Sequence, residues 1–345
     1  MRAVTLEPRK ARSLKLEEIP EPARSQGSIL VRARAIGVCG TDRGLIEGRY
    51  GEAPPARRRL VLGHESLGHV VEAPAQSGFA IGDAVVGIVR HPDPVPCANC
   101  AIGEWDMCIN GGYTERGIKG ADGFSSEFFT LEPGFATRVD AKLEIAGVLL
   151  EPASVLAKAW EHIEHIARRA RWTPGRLLVT GAGPIGLMAA LMGVQRGFAV
   201  HVQDHNERGL KPALVTSLGA RYSVVPPKDD FDVIIECTGA PALIKQVLAA
   251  RTPNRIVCLA GLSDTKREIG LDVAAFNQSM VLGNGVVFGT VNANRRHYEA
   301  AAAALALAER AWLDRLITRK VPLTRWQEAY EKRAGDVKTV MLFED

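Results

Sequence analysis

Over roughly the first 150 residues, apolar positions fall in short β-branched runs broken by Gly and Pro. Ser28–Ile36, Gly68–Glu72 and Asp83–Val89 read as strands. Many short strands separated by turn residues predict a partly open β-barrel rather than helices packed on a parallel sheet. The texture changes near Glu151. Leu156, Trp160, Ile163 and Ile166 recur at helical spacing and predict a helix over 153–170. Strand and helix patterns then alternate, with strands at Arg176–Thr180, Ala199–Gln203, Asp232–Cys237, Arg255–Ala260 and Gly285–Gly289 and a helix at Ile185–Arg196. That alternation predicts a parallel sheet with crossover connections. Tyr298–Ile317 is Ala-rich and reads as one further helix. The expected class is α/β.

The turn after the first of these parallel strands carries chemistry. Gly181-Ala182-Gly183-Pro184-Ile185-Gly186 follows Leu177-Leu178-Val179 and opens an amphipathic helix. This is the setting that a dinucleotide fingerprint requires: the first Gly for the tight turn, the second for close approach of a pyrophosphate, the third for helix packing. Free N–H groups at the helix start favour the anion. Asp204 ends the next strand, where a carboxylate takes the adenosine ribose hydroxyls, and repels a 2′-phosphate. His205 and Asn206 follow, and neither is a permanent cation. NAD is therefore expected over NADP.

The first half offers a different set. Cys39, His64 and Glu65, with Glu151 much later, supply thiolate, imidazole and carboxylate, the ligand types zinc accepts. Singly, each has an ordinary explanation: a buried thiol, a turn histidine, a carboxylate at a helix start. Together, upstream of a nucleotide loop, they point to a Lewis acid serving hydride transfer. A second set is Cys97, Cys100 and Cys108, whose Cys-x-x-Cys step is a zinc chelate spacing. Asp93 is the nearest replacement for a fourth ligand, and the alternative is a metal-free loop.

Bulk properties narrow the classes. A length of 345 residues suits two domains, and 46% hydrophobic with 24% charged content is ordinary for a globular chain. The net charge of +4 is spread along the chain, so no nucleic-acid surface is expected. No apolar run approaches the ~20 residues of a membrane span, and Met1–Leu6 leads into charged residues without a signal-peptide core. The reading is a cytoplasmic protein that binds neither nucleic acid nor membrane. Its cysteines serve as ligands or buried thiols rather than disulfides.

Gly37-Val38-Cys39-Gly40-Thr41-Asp42, Leu62-Gly63-His64-Glu65, Gly82-Asp83-Ala84-Val85 and the glycine loop together resemble the medium-chain, zinc-dependent alcohol dehydrogenase superfamily. Glu115-Arg116-Gly117-Ile118-Lys119-Gly120-Ala121-Asp122-Gly123-Phe124, Glu151-Pro152 and Gly289-Thr290-Val291-Asn292 resemble its glucose 1-dehydrogenase branch. The resemblance implies a GroES-like catalytic domain at 1–152, completed by 293–345, around a Rossmann domain at 153–292. It implies zinc on Cys39 and His64, Glu65 bound directly or through water, and Glu151 as a third or alternating ligand. Thr41 would relay the substrate proton, and Glu115, Glu151 and Asn292 would meet sugar hydroxyls. Thr238, Gly261, Leu262, Thr290 and Asn292 would join the loop in holding the nucleotide. Cys97, Cys100 and Cys108 match the last three positions of a four-cysteine structural zinc lobe, whose first position is Pro94 here. The implied activity is oxidation of an aldose at its anomeric carbon to the lactone by a homodimer or homotetramer. Val155, where relatives carry a polar sugar contact, leaves room for a polyol or secondary alcohol instead. A non-catalytic nucleotide-binding homologue is the third possibility, and it would need neither Cys39 nor His64.

Overall fold

A computed structural model describes every residue except Arg24, Gln26, Trp172, Pro174, 264–267, Glu344 and Asp345. The chain divides into two compact units, Met1–Ser154 with Asn292–Asp345, and Val155–Val291.

The first unit is built on a seven-stranded sheet. Its centre is Ile29–Val38, which pairs antiparallel with Glu65–Glu72, Phe128–Leu131 and Lys338–Leu342. Inward residues Ile29, Val31, Ile36, Val70, Val85, Phe124 and Phe129 form one buried cluster. The register does functional work. Gly37 stands opposite Glu65 on one side and Val340 on the other. A Cβ on Gly37 would lie 2.0 Å from the Glu65 carboxylate and 2.9 Å from the Lys338 side chain. Glycine there lets a carboxylate and an ammonium meet over the middle of the sheet.

The second unit is a six-stranded parallel sheet. In order across the sheet, its strands are Arg221–Ser223, Ala199–Gln203, Arg176–Thr180, Val233–Glu236, Ile256–Leu259 and Val286–Gly289. The chain moves outward from Arg176–Thr180 in one direction, then returns to its other side. The order reverses there, and in open α/β sheets ligands bind at the carboxyl ends of the strands beside such a reversal.

The α/β class and both layers agree with the sequence expectation. Two elements differ. The Ala-rich segment is two helices, Arg295–Ala306 and Arg310–Leu316, with Leu307 80% exposed at the break. The apolar spacing continues across the break, since Leu305 and Trp312 are seven residues apart and share a face; what divides the segment is Glu309, whose extended backbone (φ −63°, ψ 122°) is the N-cap of the second helix. The return strands Ile317–Pro322 and Lys338–Leu342 lack a clean alternation that sequence could show; Lys338–Leu342 is defined by pairing with Ile29–Val38 and burial of Val340 and Met341, and Ile317–Pro322 by parallel pairing with Lys338–Leu342. No described helix is long and apolar enough to cross a membrane.

Candidate metal centre and nucleotide loop

Cys39 ends the central strand and caps the helix Gly40–Ile46. Its sulfur accepts from the Thr41 backbone N–H at 3.3 Å, and its own N–H donates to Asp42 Oδ2 at 2.8 Å. His64 and Glu65 enter the neighbouring strand after Gly63, whose φ of +88° is a glycine conformation. These turns bring Cys39, His64 and Glu65 together, with one ligand atom of each within 4.8 Å of the others. The Cys39 sulfur lies 3.0 Å from His64 Nε2. Zinc at usual bond lengths holds a sulfur and a nitrogen about 3.5 Å apart across a tetrahedral angle, so a small opening admits the ion.

Asp42 Oδ1 sits 3.4 Å behind His64 Nδ1, both buried. A carboxylate on the far ring nitrogen is the usual support of a metal-binding histidine. Burial alone would pull the His64 pKa down, but the Cys39 thiolate and Asp42 outweigh it and hold the imidazole well above its usual value. The pocket is thus short of positive charge, and its sulfur, nitrogen and carboxylate donors fit zinc. Lys338 Nζ contacts Glu65 Oε2 with both side chains almost wholly buried. Glu151, in the first turn of Leu150–Ala167, stands beside the cluster but not within it. Burial pushes its carboxyl up to about 7, Glu65 adds to the rise, and His64 and Lys338 oppose it. Thr41 lies half-buried in the first turn of its helix.

Glu115 and Asn292 do come together. Glu115 Oε1 accepts from Asn292 Nδ2 at 2.6 Å and from Arg90 Nη2 at 2.9 Å. Arg90 also lies 3.9 Å over the Tyr113 ring. Asn292, at φ +58°, belongs to the first unit, and its amide is committed to Glu115 rather than free for a nucleotide.

Cys97, Cys100 and Cys108 have their sulfurs within 4.8 Å of one another. Cys97 caps the short helix Ala98–Ala101. Backbone N–H groups of Cys100 and Ile109 pull its thiol down to about 6. Asp93 does not join them. Its Oδ1 accepts from the Val95 N–H at 2.9 Å, closing a local turn, and only its backbone N–H reaches Cys100. The expectation of Asp93 as a carboxylate ligand is corrected on that geometry.

In the second unit the glycines have separate reasons. Gly181 takes φ +93°; a Cβ on Gly186 would lie 1.8 Å from the Gly181 carbonyl; Gly183, at the helix start, opens onto space. Pro184 and Ile185 begin the helix Pro184–Gln195. Asp204 accepts from Ala182 N–H at 2.7 Å, Asn206 N–H at 3.1 Å and Lys211 Nζ at 3.2 Å. His205 is exposed beside it. Thr238 and Gly239 are held by Glu236, which is fully buried. A Cβ on Gly261 would lie 2.2 Å from the Gly239 nitrogen. Leu262 is 85% exposed, and the Thr290 hydroxyl is buried without a partner among the described residues.

Lys338, Asp42, Arg90 and Glu236 were not given roles from sequence. Lys338 and Arg90 had no signal, since each meets its carboxylate only through sheet pairing. Asp42 stood within the quoted Cys-Gly-Thr-Asp run, three residues from Cys39, and that capping spacing could have found it.

The family profile "Glucose dehydrogenase C-terminus" matches residues 145–343, and "Alcohol dehydrogenase GroES-like domain" matches 25–141. The chain is 37% identical to a glucose 1-dehydrogenase of Methanocella arvoryzae and 39% identical to one of Thermoproteus tenax, each match covering 99% of both chains. A solved Haloferax mediterranei glucose dehydrogenase, in complex with NADP, Zn and gluconolactone, matches with a TM-score of 0.92 and 31% identity over 100% of both chains. The chain belongs to the zinc-dependent alcohol dehydrogenase superfamily, in its glucose dehydrogenase branch.

Proposed function

We propose that this chain is a zinc- and nicotinamide-dependent sugar dehydrogenase that oxidises an aldose at its anomeric carbon to the lactone. The observation that carries this reading is the Cys39–His64–Glu65 cluster, with His64 and Glu65 buried and Cys39 half-buried, and with Asp42 and Lys338 behind it. When bound, zinc polarises the substrate oxygen and the nicotinamide takes the hydride. Cys39, His64 and Glu65 would hold the ion, with Glu151 as an alternating ligand. The chain's other groups have separate tasks. Asp42 fixes the imidazole so that Nε2 faces the cluster. Lys338 restrains the Glu65 carboxylate. The Thr41 hydroxyl relays the proton leaving the substrate, accepting it as it passes its own on toward solvent. Glu115, steadied by Arg90 and Asn292 on one oxygen, keeps its other oxygen for a sugar hydroxyl. The glycine loop and Asp204 take the dinucleotide, with Thr238, Gly261 and Thr290 as further contacts.

NAD is proposed over NADP. Asp204 retains acceptor capacity for a ribose hydroxyl beyond the bonds it already takes, and its carboxylate disfavours a 2′-phosphate. The preference parts this chain from the Haloferax relative, whose complex holds NADP. Cys97, Cys100 and Cys108 would take a second, more weakly held zinc, with water completing the set. A homodimer or homotetramer is proposed because the apolar helix Val273–Leu282 buries no residue and lies next in sequence to the edge strand Val286–Gly289.

The test is a panel of aldoses, polyols and simple alcohols, on protein of known metal content, with each cofactor. Turnover is expected to be highest with an aldose and NAD. Activity on simple alcohols but not aldoses would overturn the sugar reading, and a higher kcat/KM with NADP would overturn the cofactor preference. Tight NAD binding without metal or turnover would leave a non-catalytic homologue.

A further inference from the structure

The segment Glu115–Phe124 carries a largely buried basic residue, Arg116, that the proposed reaction does not use. Arg116 follows Glu115 on the strand Thr114–Arg116, and successive strand side chains point to opposite faces. Its guanidinium packs 4.7 Å over the Phe124 ring and makes one long hydrogen bond, 3.4 Å, from Nη1 to the Thr130 carbonyl. Its Nε is buried with no partner among the described residues. A guanidinium carries five N–H donors, so most of these are unused. The neighbouring carboxylate is already taken: Asp122 accepts from Arg57 and from the Val61 N–H. Burial pulls the Arg116 pKa down to about 10, with Asp122 and Glu132 acting against that fall, so the group stays charged at neutral pH. A largely buried cation without a bonded counter-ion is costly to keep.

Arg116 opens onto a cavity of about 530 Å³ in the first unit. Arg57, Asp122, Ser126, Thr130 and Phe128 line it, and the segment 19–23 walls it. A bare ion does not account for that space, since a water occupies about 30 Å³. The planar fork of Arg116 matches a carboxylate or phosphate bidentately. The Asp122 carboxylate and the Ser126 and Thr130 side chains are of the kind that bond hydroxyls, and the prolines and Phe128 offer faces to a carbon chain.

We propose that this cavity binds a small polyhydroxylated organic anion, a sugar acid or a sugar phosphate, with its oxyanion on Arg116. An aldonate is what the lactone of the proposed reaction becomes on hydrolysis. The site stands without that reading, because binding is measured in the absence of turnover.

The experiment is calorimetric titration of the metal-loaded chain, without nucleotide, by gluconate, glucose 6-phosphate and inorganic phosphate at matched ionic strength. At least one organic anion is expected to bind in the millimolar range or tighter, and inorganic phosphate more weakly; the tighter of the two organic ligands tells the acid from the phosphate ester. Arg116→Lys keeps the charge but loses the fork and should weaken that binding about tenfold or more, the size of a charge-assisted pair of hydrogen bonds. Ala23→Trp fills the cavity from its wall, leaves Arg116 in place, and should abolish the binding even if Arg116→Lys fails to fold. No binding by either organic anion, binding that survives Ala23→Trp, or binding of inorganic phosphate as tight as the organic ligands would overturn the proposal.

Discussion

Two thiolate clusters lie in the first unit, and they are built in opposite ways. Around Cys39 and His64 nearly every ligand has a charged partner behind it: Asp42 behind His64, Lys338 on Glu65, Glu151 alongside. Around Cys97, Cys100 and Cys108 the support is main chain, with N–H groups of Cys100 and Ile109 turned on Cys97 and that of Asp93 on Cys100. A ligand locked by its own hydrogen-bonded partner keeps its aim when the metal exchanges its other ligands. Backbone N–H groups balance thiolate charge and tie a loop to itself, but they hold no second residue in place. The first arrangement suits a centre where a substrate comes and goes, and the second suits a clasp.

The largest effect should come from removing a ligand of the first cluster. Cys39→Ala or His64→Ala is expected to lower kcat/KM at least about a thousandfold, since Lewis-acid stabilisation contributes several kcal/mol to such a reaction. Metal content should fall by one ion per chain, while NAD affinity, read by fluorescence, changes little. Turnover left intact in either variant would end the metal-dependent reading and, with it, the contrast between the clusters.

Next in size is Lys338→Met. Glu65 would then be a buried carboxylate facing Glu151 without its cation, and breaking a buried pair from one side costs about 3–5 kcal/mol. A large drop in the unfolding midpoint of metal-free protein is expected, partly reversed by adding zinc, whose charge replaces the lost ammonium. A midpoint unchanged without zinc would mean that the pair contributes nothing net. Asp42→Asn is smaller: the far-side carboxylate becomes an amide, and zinc affinity should fall about 10- to 100-fold. Competition with a chelator reads this directly. If affinity is unchanged, the 3.4 Å approach of Asp42 to His64 has no share in metal binding.

How much of this was legible in the sequence follows the range of the forces involved. The glycine loop was readable because each glycine answers a local steric demand, and Gly181 and Gly186 meet theirs within a few residues. The alternating strands and helices were readable because hydrophobic period is local. Cys39, His64 and Glu65 were readable by ligand chemistry, not by position. Lys338 was not, because it lies 273 residues from Glu65 by subtraction of their numbers and reaches it only through the pairing of Lys338–Leu342 with Ile29–Val38. Arg90 fails for the same reason, since His91 opposite Thr114 sets its register with Glu115. Asp93 is close to the cysteines in sequence but its carboxylate is not close to their sulfurs, because an acidic side chain before a Pro more readily bonds the backbone two residues on.

The smallest effect belongs to Asp93 and separates the clusters most sharply. If its carboxylate were a ligand, Asp93→Ala would release an ion as Asp42→Asn weakens one. Among the described residues the carboxylate takes only the bond from the Val95 N–H, so the variant should lose about 1 kcal/mol or less of stability. Its metal count should match the wild type. Cys100→Ser is the control from the same lobe. It is expected to remove the weaker of two ions and lower the unfolding midpoint, with kcat retained, because no residue of this lobe belongs to the Cys39–His64–Glu65 cluster. A chelator titration of the unmodified chain should show the same order, with one ion leaving while activity persists and the second leaving as activity is lost. A metal count that drops in Asp93→Ala would return the carboxylate to the ligand set and make the two clusters alike in needing an acidic partner. A single ion in the wild type, lost only with activity, would leave the three sulfurs as a loop tied by backbone hydrogen bonds alone.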